Sequence, residues 1–157
     1  MPETPQDFLR QAVILAVGNV QQGGGPFGAI VVKDGQVIAK GVNQVTSSLD
    51  PTAHAEVTAI RNACSALSTY QLDGCELYAS CEPCPMCLGA IYWARMDRFY
   101  YAVSRVEAAS AGFDDAFIYD EMGVEPAQRA IEGRMLLSPE GVLPFEAWER
   151  SLTRVLY

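Results

Sequence analysis

The sequence predicts a layered α/β domain, because segments with strand composition alternate with segments of helical periodicity. The first two strand-like segments are joined by Asp34-Gly35, a strong signal for a hairpin turn. The helix-like segments between the later strands imply at least one parallel strand pair after this hairpin. Half of the 157 residues are apolar, which excludes intrinsic disorder, and the length predicts a single domain over residues 1–157.

The first predicted helix begins at Thr4-Pro5-Gln6-Asp7, where a hydroxyl N-cap, a proline in the first turn and an acid follow one another. Its apolar residues recur at intervals of four and predict one buried stripe made of Phe8, Ala12, Ala16 and Val20. Two strands are predicted at 27–33 and 36–42, on either side of the hairpin turn. The remaining predicted elements are helix 53–67, strand 76–79, helix 85–95, strand 98–103, strand 134–137 and a final helix from Pro144.

Composition and charge narrow the possible functions. The net charge is −8, with 11 basic residues against 19 acidic ones and no basic cluster, so a small neutral substrate is expected rather than a nucleic acid. The aliphatic run 12–17 is too short to cross a bilayer, so no membrane partner is expected. Five cysteines and no signal-type segment near the start favour a metal site in the reducing cytoplasm over a disulfide framework.

Two short segments carry the strongest chemical signal, His-Ala-Glu at 54–56 and Pro-Cys-Pro-Met-Cys at 83–87. One imidazole and two thiolates supply three zinc ligands, which leaves the fourth tetrahedral position for water, as in catalytic sites. Glu56 is then the predicted acid–base group that moves protons. An H-x-E sequence followed by P-C-x-x-C is the signature of zinc nucleobase deaminases. We therefore expect Zn²⁺ to be bound by His54, Cys84 and Cys87.

The spacing within this motif leaves one alternative open. Residues two apart point to different sides of a regular helix, so His54 and Glu56 can serve one metal only where the helix ends. Asp50-Pro51-Thr52 just upstream supports such an end. Cys81 also stands at CxxC spacing from Cys84. If Cys81 were a fourth ligand, the site would be closed, and the protein would be a structural zinc-binding interaction domain.

With these residues assembled, the chain resembles the cytidine deaminase superfamily and, within it, the bacterial guanine deaminases. The likeness covers nearly the whole chain, and its matching segments are 25–33, 50–61, 80–95 and 111–119. It implies a three-layer α/β/α sandwich with a five-stranded mixed sheet flanked by helices. It also implies hydrolysis of guanine to xanthine and ammonia, with Glu56 as the proton shuttle.

The same resemblance implies how a purine base is held. Asn43 is expected to hydrogen-bond the purine, and Phe27 to pack on its ring. Asp115, favoured over Asp114, is expected to hold the N1–H and 2-amino edge. Ala55 is assigned to the same substrate site. From the residues alone, Asn43 is more typical of a turn, and the two aspartates are ordinarily a solvated pair or a helix cap, so only the resemblance assigns them to the substrate.

The resemblance also implies a homodimer that exchanges C-terminal segments of about 120–157, in which Tyr157 caps the partner's site. Plant guanosine deaminases share the zinc motif and a similar Gly-Phe-Asp-Asp run, so guanosine stays an alternative substrate. Deamination of adenosine in tRNA is a further alternative, which the acidic charge disfavours. The tRNA-editing and cytidine branches lack the segment 111–119.

Overall fold

The structure is a computed structural model that describes residues 2–136 and 138–157. Its regular elements, in chain order, are α1 Pro5–Gln21, β1 Gly28–Lys33, β2 Gln36–Val42, α2 Val45–Ser48, α3 Ala55–Leu67, β3 Cys75–Cys81, α4 Pro85–Trp93, β4 Arg98–Val103, α5 Arg105–Ser110, α6 Ala116–Met122 and α7 Leu143–Arg150. Two 3₁₀ turns, Pro126–Gln128 and Pro139–Val142, lie between α6 and α7.

The strands form a mixed sheet in the order β2-β1-β3-β4. β1 pairs antiparallel with both β2 and β3, whereas β3 and β4 are parallel. The predicted hairpin is confirmed: Lys33 pairs with Gln36, and the turn residues Asp34 and Gly35 have φ of 50° and 74°. Two positive φ angles in a two-residue loop match the right-handed twist of the flanking strands.

The expected fifth strand is wrong for the described residues, whose sheet has four strands. Residues 134–136 adopt no strand, and Leu137 lies outside the described residues. Met135 and Leu136 are 87% and 84% exposed. A strand is stabilised by side-chain pairs with a neighbouring strand, and residues this exposed make few of them.

The predicted α/β/α layering is confirmed by two cores on opposite faces of the sheet. Alternate residues of β1 point to opposite faces, as strand geometry requires. Ile30 and Val32 pack with Phe8 of α1. Ala29 and Val31 pack on the other face, in the core that contains α3 and α4 residues. The apolar side chains of one six-residue strand thus join both helical layers to the sheet.

Helix α1 begins with the predicted capping box between Thr4 and Asp7. Phe8, Ala12 and Ala16 are buried as expected, but Val20 is 50% exposed and Asn19 is buried in its place. At about 100° per residue, Asn19 lies only about 20° from Phe8 around the helix, whereas Val20 lies about 120° away. The predicted stripe is therefore wrong at its last position, where an amide faces the protein.

Close contact between β2 and α3 depends on Gly41. A Cβ at Gly41 would lie 2.3 Å from the carbonyl oxygen of Ala55 and 2.4 Å from the amide nitrogen of Ala59. Only glycine lets the two backbones approach this closely. The first turn of α3 is thereby held against the sheet.

The strand directions gather several chain segments at one end of the sheet. β1 begins at Gly28, and its antiparallel neighbours β2 and β3 end at Val42 and Cys81. Because antiparallel neighbours run in opposite directions, the residues before Gly28 and after Val42 meet at the same edge. This edge carries the segments that contain Phe27 and Asn43.

The chain divides into two compact units, Met1–Asp115 and Ala116–Tyr157. The first unit holds the whole sheet and both cores. Of the described residues in the second unit, none is buried. Among the residues that the structure describes, no helix has the length and apolar character needed to span a membrane.

Candidate active site

His54 is the N-cap of α3, with extended backbone angles φ −68° and ψ 157°. Glu56 is the second residue of the helix and is 7% exposed. Because His54 precedes the first helical residue, helical geometry does not fix the direction of its side chain. The His54 and Glu56 side chains can therefore face the same site. The structure therefore places the two residues at a helix end, as their spacing requires.

A hydrogen-bonded turn leads the chain into His54. An Oδ oxygen of Asp50 accepts hydrogen bonds from the backbone N–H of Thr52 at 2.8 Å and from its hydroxyl at 2.7 Å. The Asp50 carbonyl accepts the N–H of Ala53 at 3.1 Å. The hydrogen bonds from Thr52 also lower the pKa of Asp50 below its usual value. The ionised carboxylate thus stabilises the bend that sets the direction of His54.

The two cysteines occupy the start of α4. Cys84 is its N-cap, with φ −66° and ψ 170°, Pro85 is the first helical residue, and Cys87 is buried in the first turn. The N-termini of α3 and α4 therefore both carry candidate ligands. Unpaired backbone N–H groups and the helix dipole at such ends favour thiolates and carboxylates.

The ligand atoms have the separations that zinc requires. His54 Nδ1 lies 3.6 Å from Cys84 Sγ and 3.5 Å from Cys87 Sγ. Tetrahedral zinc with bonds of about 2.3 Å to sulfur and about 2.0–2.1 Å to nitrogen would put these atoms about 3.6 Å apart. All three ligand atoms lie within 4.8 Å of one another. The residues present therefore fit the metal.

The charge state of the two sulfurs also points to a cation. A hydrogen bond from the Cys87 thiol lowers the pKa of Cys84 to about 4. The same hydrogen bond, together with burial, raises the pKa of Cys87. Cys84 is therefore the sulfur that ionises more readily, and Cys87 is the one that keeps its proton. A divalent cation would replace that proton and balance both thiolates.

Glu56 is placed to exchange protons beside these ligands. Its Oε2 lies 3.4 Å from Cys87 Sγ, which is within hydrogen-bond distance for sulfur. Burial is the largest cause of a raised pKa at Glu56. A carboxyl group with a raised pKa holds a proton closer to neutral pH, which suits a group that must both accept and donate.

Cys81 lies outside the ligand group. Within the described part of the chain, the cluster able to hold a metal consists of His54, Cys84 and Cys87. Cys81 Sγ donates instead to the carbonyl of Ser104 at 3.7 Å. Burial is the main reason that the pKa of Cys81 rises to about 11, so it remains a neutral thiol. The site therefore has three protein ligands and the open position of a catalytic centre.

Phe27 and the acidic segment lie on the same side of the first unit. The Phe27 ring packs edge-on against Phe113, with centroids 5.0 Å apart and an interplanar angle of 87°. Asp115 is half-buried and Asp114 is exposed. Burial raises the pKa of Asp115 most, and the negative charge on Cys84 raises it further. Asp115 thus lies within electrostatic reach of the ligand group.

Asn43 is fixed by its backbone and its side chain. Its N–H donates to the Phe27 carbonyl at 3.2 Å, and its Oδ1 accepts the N–H of Val45 at 3.2 Å. Ala55 is fully buried, with its carbonyl against the glycine of β2. Tyr157 belongs to the second unit and is 71% exposed. The structure thus joins Asn43 directly to the Phe27 segment.

Three residues at this end of the sheet were given no role of their own in the sequence prediction. Asn19 donates from its amide nitrogen to the carbonyls of Gly25 and Asn43. Ser80 is buried and its Oγ accepts the N–H of Gly28 at 3.1 Å. Phe113 is the aromatic partner of Phe27. Of these three, only Asn19 had a signal in the sequence, because it is a polar residue within the apolar periodicity of α1.

Comparison with known proteins agrees with this geometry. The family model of the cytidine and deoxycytidylate deaminase zinc-binding region matches residues 2–103. The chain belongs to this deaminase family. It is accordingly a zinc-binding deaminase, and the three-residue ligand group described above is able to hold the metal.

Relatives within the deaminase family include proteins of two specificities. The chain is 55% identical to guanine deaminase from Bacillus subtilis (strain 168), over 97% of this chain and 98% of the relative. It is 44% identical to the tRNA-specific adenosine deaminase of Aquifex aeolicus, over 60% of this chain and 63% of the relative. The predicted resemblance to bacterial guanine deaminases is therefore confirmed.

Solved structures similar to this chain include two guanine deaminases. The crystal structure of guanine deaminase from Bacillus subtilis superposes with a TM-score of 0.97 at 54% identity, covering 99% of both chains. A guanine deaminase structure from Nitrosomonas europaea gives 0.69 at 34% identity, covering 71% of this chain and 65% of that one.

Proposed function

We propose that this protein catalyses the zinc-dependent hydrolysis of guanine to xanthine and ammonia. The observation that carries the proposal is the three-ligand His-Cys-Cys group with the buried carboxyl of Glu56 in contact with one ligand. Similarity to a guanine deaminase over 97% of the chain supports guanine as the substrate.

When bound, zinc supplies Lewis-acid activation of a water that attacks the purine carbon bearing the amino group. Glu56 accepts the proton that this water loses and transfers it to the adjacent ring nitrogen. A second proton passes through Glu56 to the amino nitrogen, and the carbon–nitrogen bond breaks as ammonia leaves. The new carbon–oxygen bond becomes the carbonyl of xanthine, so one water is consumed and one ammonia released.

The rest of the proposed site holds the base in position for this attack. Phe27 packs on the purine ring, Asn43 hydrogen-bonds the base, and Ala55 contacts it from the start of α3. Asp115, with Asp114 as the less buried alternative, accepts hydrogen bonds from the N1–H and 2-amino groups. The half-buried position of Asp115 and its electrostatic coupling to Cys84 support this role. A buried carboxylate paired with two donors rejects bases that leave it unpaired.

Ammonia release from guanine, guanosine, adenine, cytosine and cytidine tests the proposed substrate, with a tRNA stem-loop included for the editing alternative. Guanine should be the preferred substrate, and a zinc chelator should abolish release. No release from guanine by the zinc-loaded protein would refute the proposal. Preference for guanosine would move the assignment to the nucleoside.

Glu56→Gln tests the proton shuttle. Removing a general acid–base group slows catalysis by about 10²–10⁴-fold, while the ligands stay in place and zinc content should stay at one per chain. Glu76→Gln is the matched control, since Glu76 accepts a hydrogen bond from Tyr78 at 2.7 Å and lies at the beginning of β3, away from the ligand group. Equal activity of the two variants would contradict the role of Glu56.

We further propose that the protein is a homodimer that exchanges the segment of about 120–157 within a single deaminase-type domain formed by 1–157. The second unit exposes large apolar side chains, which a partner chain would cover. They include Phe117, Ile131, Leu143, Phe145 and Leu156. Light scattering of the purified protein should give twice the chain mass, whereas a monomer would refute the dimer.

A cytoplasmic location is proposed on chemical grounds. All five cysteines are free, and the ligand group needs two of them as thiolates. A reducing compartment preserves such thiols. Fractionation of cells expressing the tagged protein tests this location.

A further inference from the structure

We propose that Asn19 is a positioning residue for substrate binding, which joins the two segments that carry Phe27 and Asn43. The inference rests on the proposed function, because it assigns those two side chains to the purine. Asn19 itself is 9% exposed and lies on the face of α1 that packs against the sheet. It is not placed in contact with the base.

The geometry of the amide group carries the argument. Asn19 Nδ2 donates to the Gly25 carbonyl at 2.8 Å and to the Asn43 carbonyl at 2.9 Å. A side-chain amide nitrogen has two hydrogens in one plane, so both donors are used. The carbonyls that accept them come from segments 18 residues apart in the sequence, 25–27 and 43–45, which we call the two purine segments.

Other hydrogen bonds extend this link along both segments. The backbone carbonyl of Asn19 accepts the N–H of Gly24 at 2.8 Å, which fixes the approach to the first purine segment. The Asn43 N–H donates to the Phe27 carbonyl at 3.2 Å, so the two segments also bond to each other. The two hydrogen bonds from the Asn19 amide connect α1 to the Gly25 and Asn43 carbonyls, so Asn19 and the two purine segments form one closed hydrogen-bonded network. It therefore sets the separation of the two proposed purine contacts.

Gly24 provides an independent way to disturb the same amide. A Cβ at Gly24 would lie 2.4 Å from Asn19 Nδ2 and 2.7 Å from Asn19 Oδ1. Gly24→Ala therefore displaces the amide without changing Asn19. Gly18→Ala is its matched control, because a Cβ at Gly18 meets nothing within 4 Å.

Asn19→Asp is the direct variant, because it keeps the side-chain shape and replaces the donor nitrogen by an oxygen that repels both carbonyls. Asn62→Asp is its matched control. Asn62 Nδ2 donates to the Lys40 carbonyl at 2.8 Å, an exposed hydrogen bond between α3 and β2.

The experiment measures kcat and KM for guanine, zinc content and amide hydrogen exchange in the zinc-loaded variants. Asn19→Asp and Gly24→Ala should raise KM about tenfold, the equivalent of about 1.4 kcal/mol, with a smaller change in kcat and one zinc per chain. Amides of the two purine segments should exchange faster than in the wild type. Asn62→Asp and Gly18→Ala should leave KM and these amides unchanged.

Two results overturn the inference. One is a KM for Asn19→Asp equal to that of Asn62→Asp. The other is a parallel loss of kcat, zinc and thermal stability at constant KM, which is the behaviour of a purely structural residue. If the wild type does not deaminate guanine, the proposed function fails separately. Hydrogen exchange then decides: faster exchange in both purine segments supports the link through Asn19, and unchanged exchange refutes it.

Discussion

Gly41→Ala should strongly reduce catalytic activity, although Gly41 is not itself one of the predicted zinc ligands. The added Cβ would lie 2.3 Å from the Ala55 carbonyl oxygen and 2.4 Å from the Ala59 amide nitrogen. Non-bonded contacts of this kind normally lie at about 3.5–4.0 Å, so α3 must move away from β2 by roughly 1 Å. Both atoms belong to the backbone, and no side-chain rotation relieves the contact.

The movement affects the site because of where α3 begins. His54 is its N-cap and Glu56 its second residue, whereas Cys84 and Cys87 belong to α4. A shift of α3 alone therefore changes the distances between the imidazole and the two sulfurs. Misplacement by about 1 Å costs on the order of 10²-fold in rate, and overpacking destabilises the fold by about 1–3 kcal/mol.

The assay compares Gly41→Ala with Gly18→Ala, an alanine added where the structure leaves space. We expect kcat/KM for guanine to fall about a hundredfold in the first variant, with weaker zinc retention and a lower urea midpoint. The control should keep its activity and gain slightly in stability, because alanine is favoured over glycine within a helix. Equal kcat/KM and equal midpoints in the two variants would refute the argument that close backbone contact positions the site.

Further predictions concern specificity, the ligand count and the C-terminus. Asp115→Asn should raise KM for guanine about tenfold or more. The inhibition constant of hypoxanthine, which lacks the 2-amino group, should change much less. Equal increases in the two constants would show that Asp115 does not recognise the 2-amino group. Because burial raises the pKa of both Glu56 and Asp115, guanine turnover in the wild type should decline on acidification at a higher pH than ordinary carboxylates would give, and a pH profile of kcat/KM measures this. Cys81→Ser should retain one zinc per chain, whereas Cys87→Ser should lose it, as metal analysis of the purified variants will show. Deletion of Tyr157 should raise KM if it caps a site, and unchanged kinetics would make it an ordinary chain end.

The ligand group was predictable because its information is local. Zinc chemistry restricts the ligand types, and the CxxC spacing places two sulfurs within one helical turn. The unusual spacing of His54 and Glu56 required a helix end, and the structure has that end at His54. The sequence near Cys81 could not exclude it as a fourth zinc ligand, because that depends on the direction in which its side chain points from the end of β3. Only the fold shows that this thiol bonds to Ser104 instead.

The elements of the first unit were predicted well for a similar reason. Strong turn chemistry at Asp34-Gly35 and a capping box at Thr4 mark boundaries directly in the sequence. The C-terminal part carries weaker signals. There a strand was expected at 134–137, but residues 134–136 are irregular and exposed, and Leu137 lies outside the described residues. The short helix α5, which belongs to the first unit, was also missed. Short apolar runs have no fixed structure until a packing partner is defined.

The position of Asn19 shows how a regular pattern can conceal a functional contact. Apolar residues at intervals of four suggested Val20 as the next buried position, yet helical geometry returns Asn19 to the buried face. A buried amide must hydrogen-bond, and the sheet edge offers two backbone carbonyls within reach. Sequence periodicity identifies the face of the helix, but only the strand order shows that this face ends beside Phe27 and Asn43. The polar residue on this apolar helix face therefore bonds to the two segments that we propose to hold the purine.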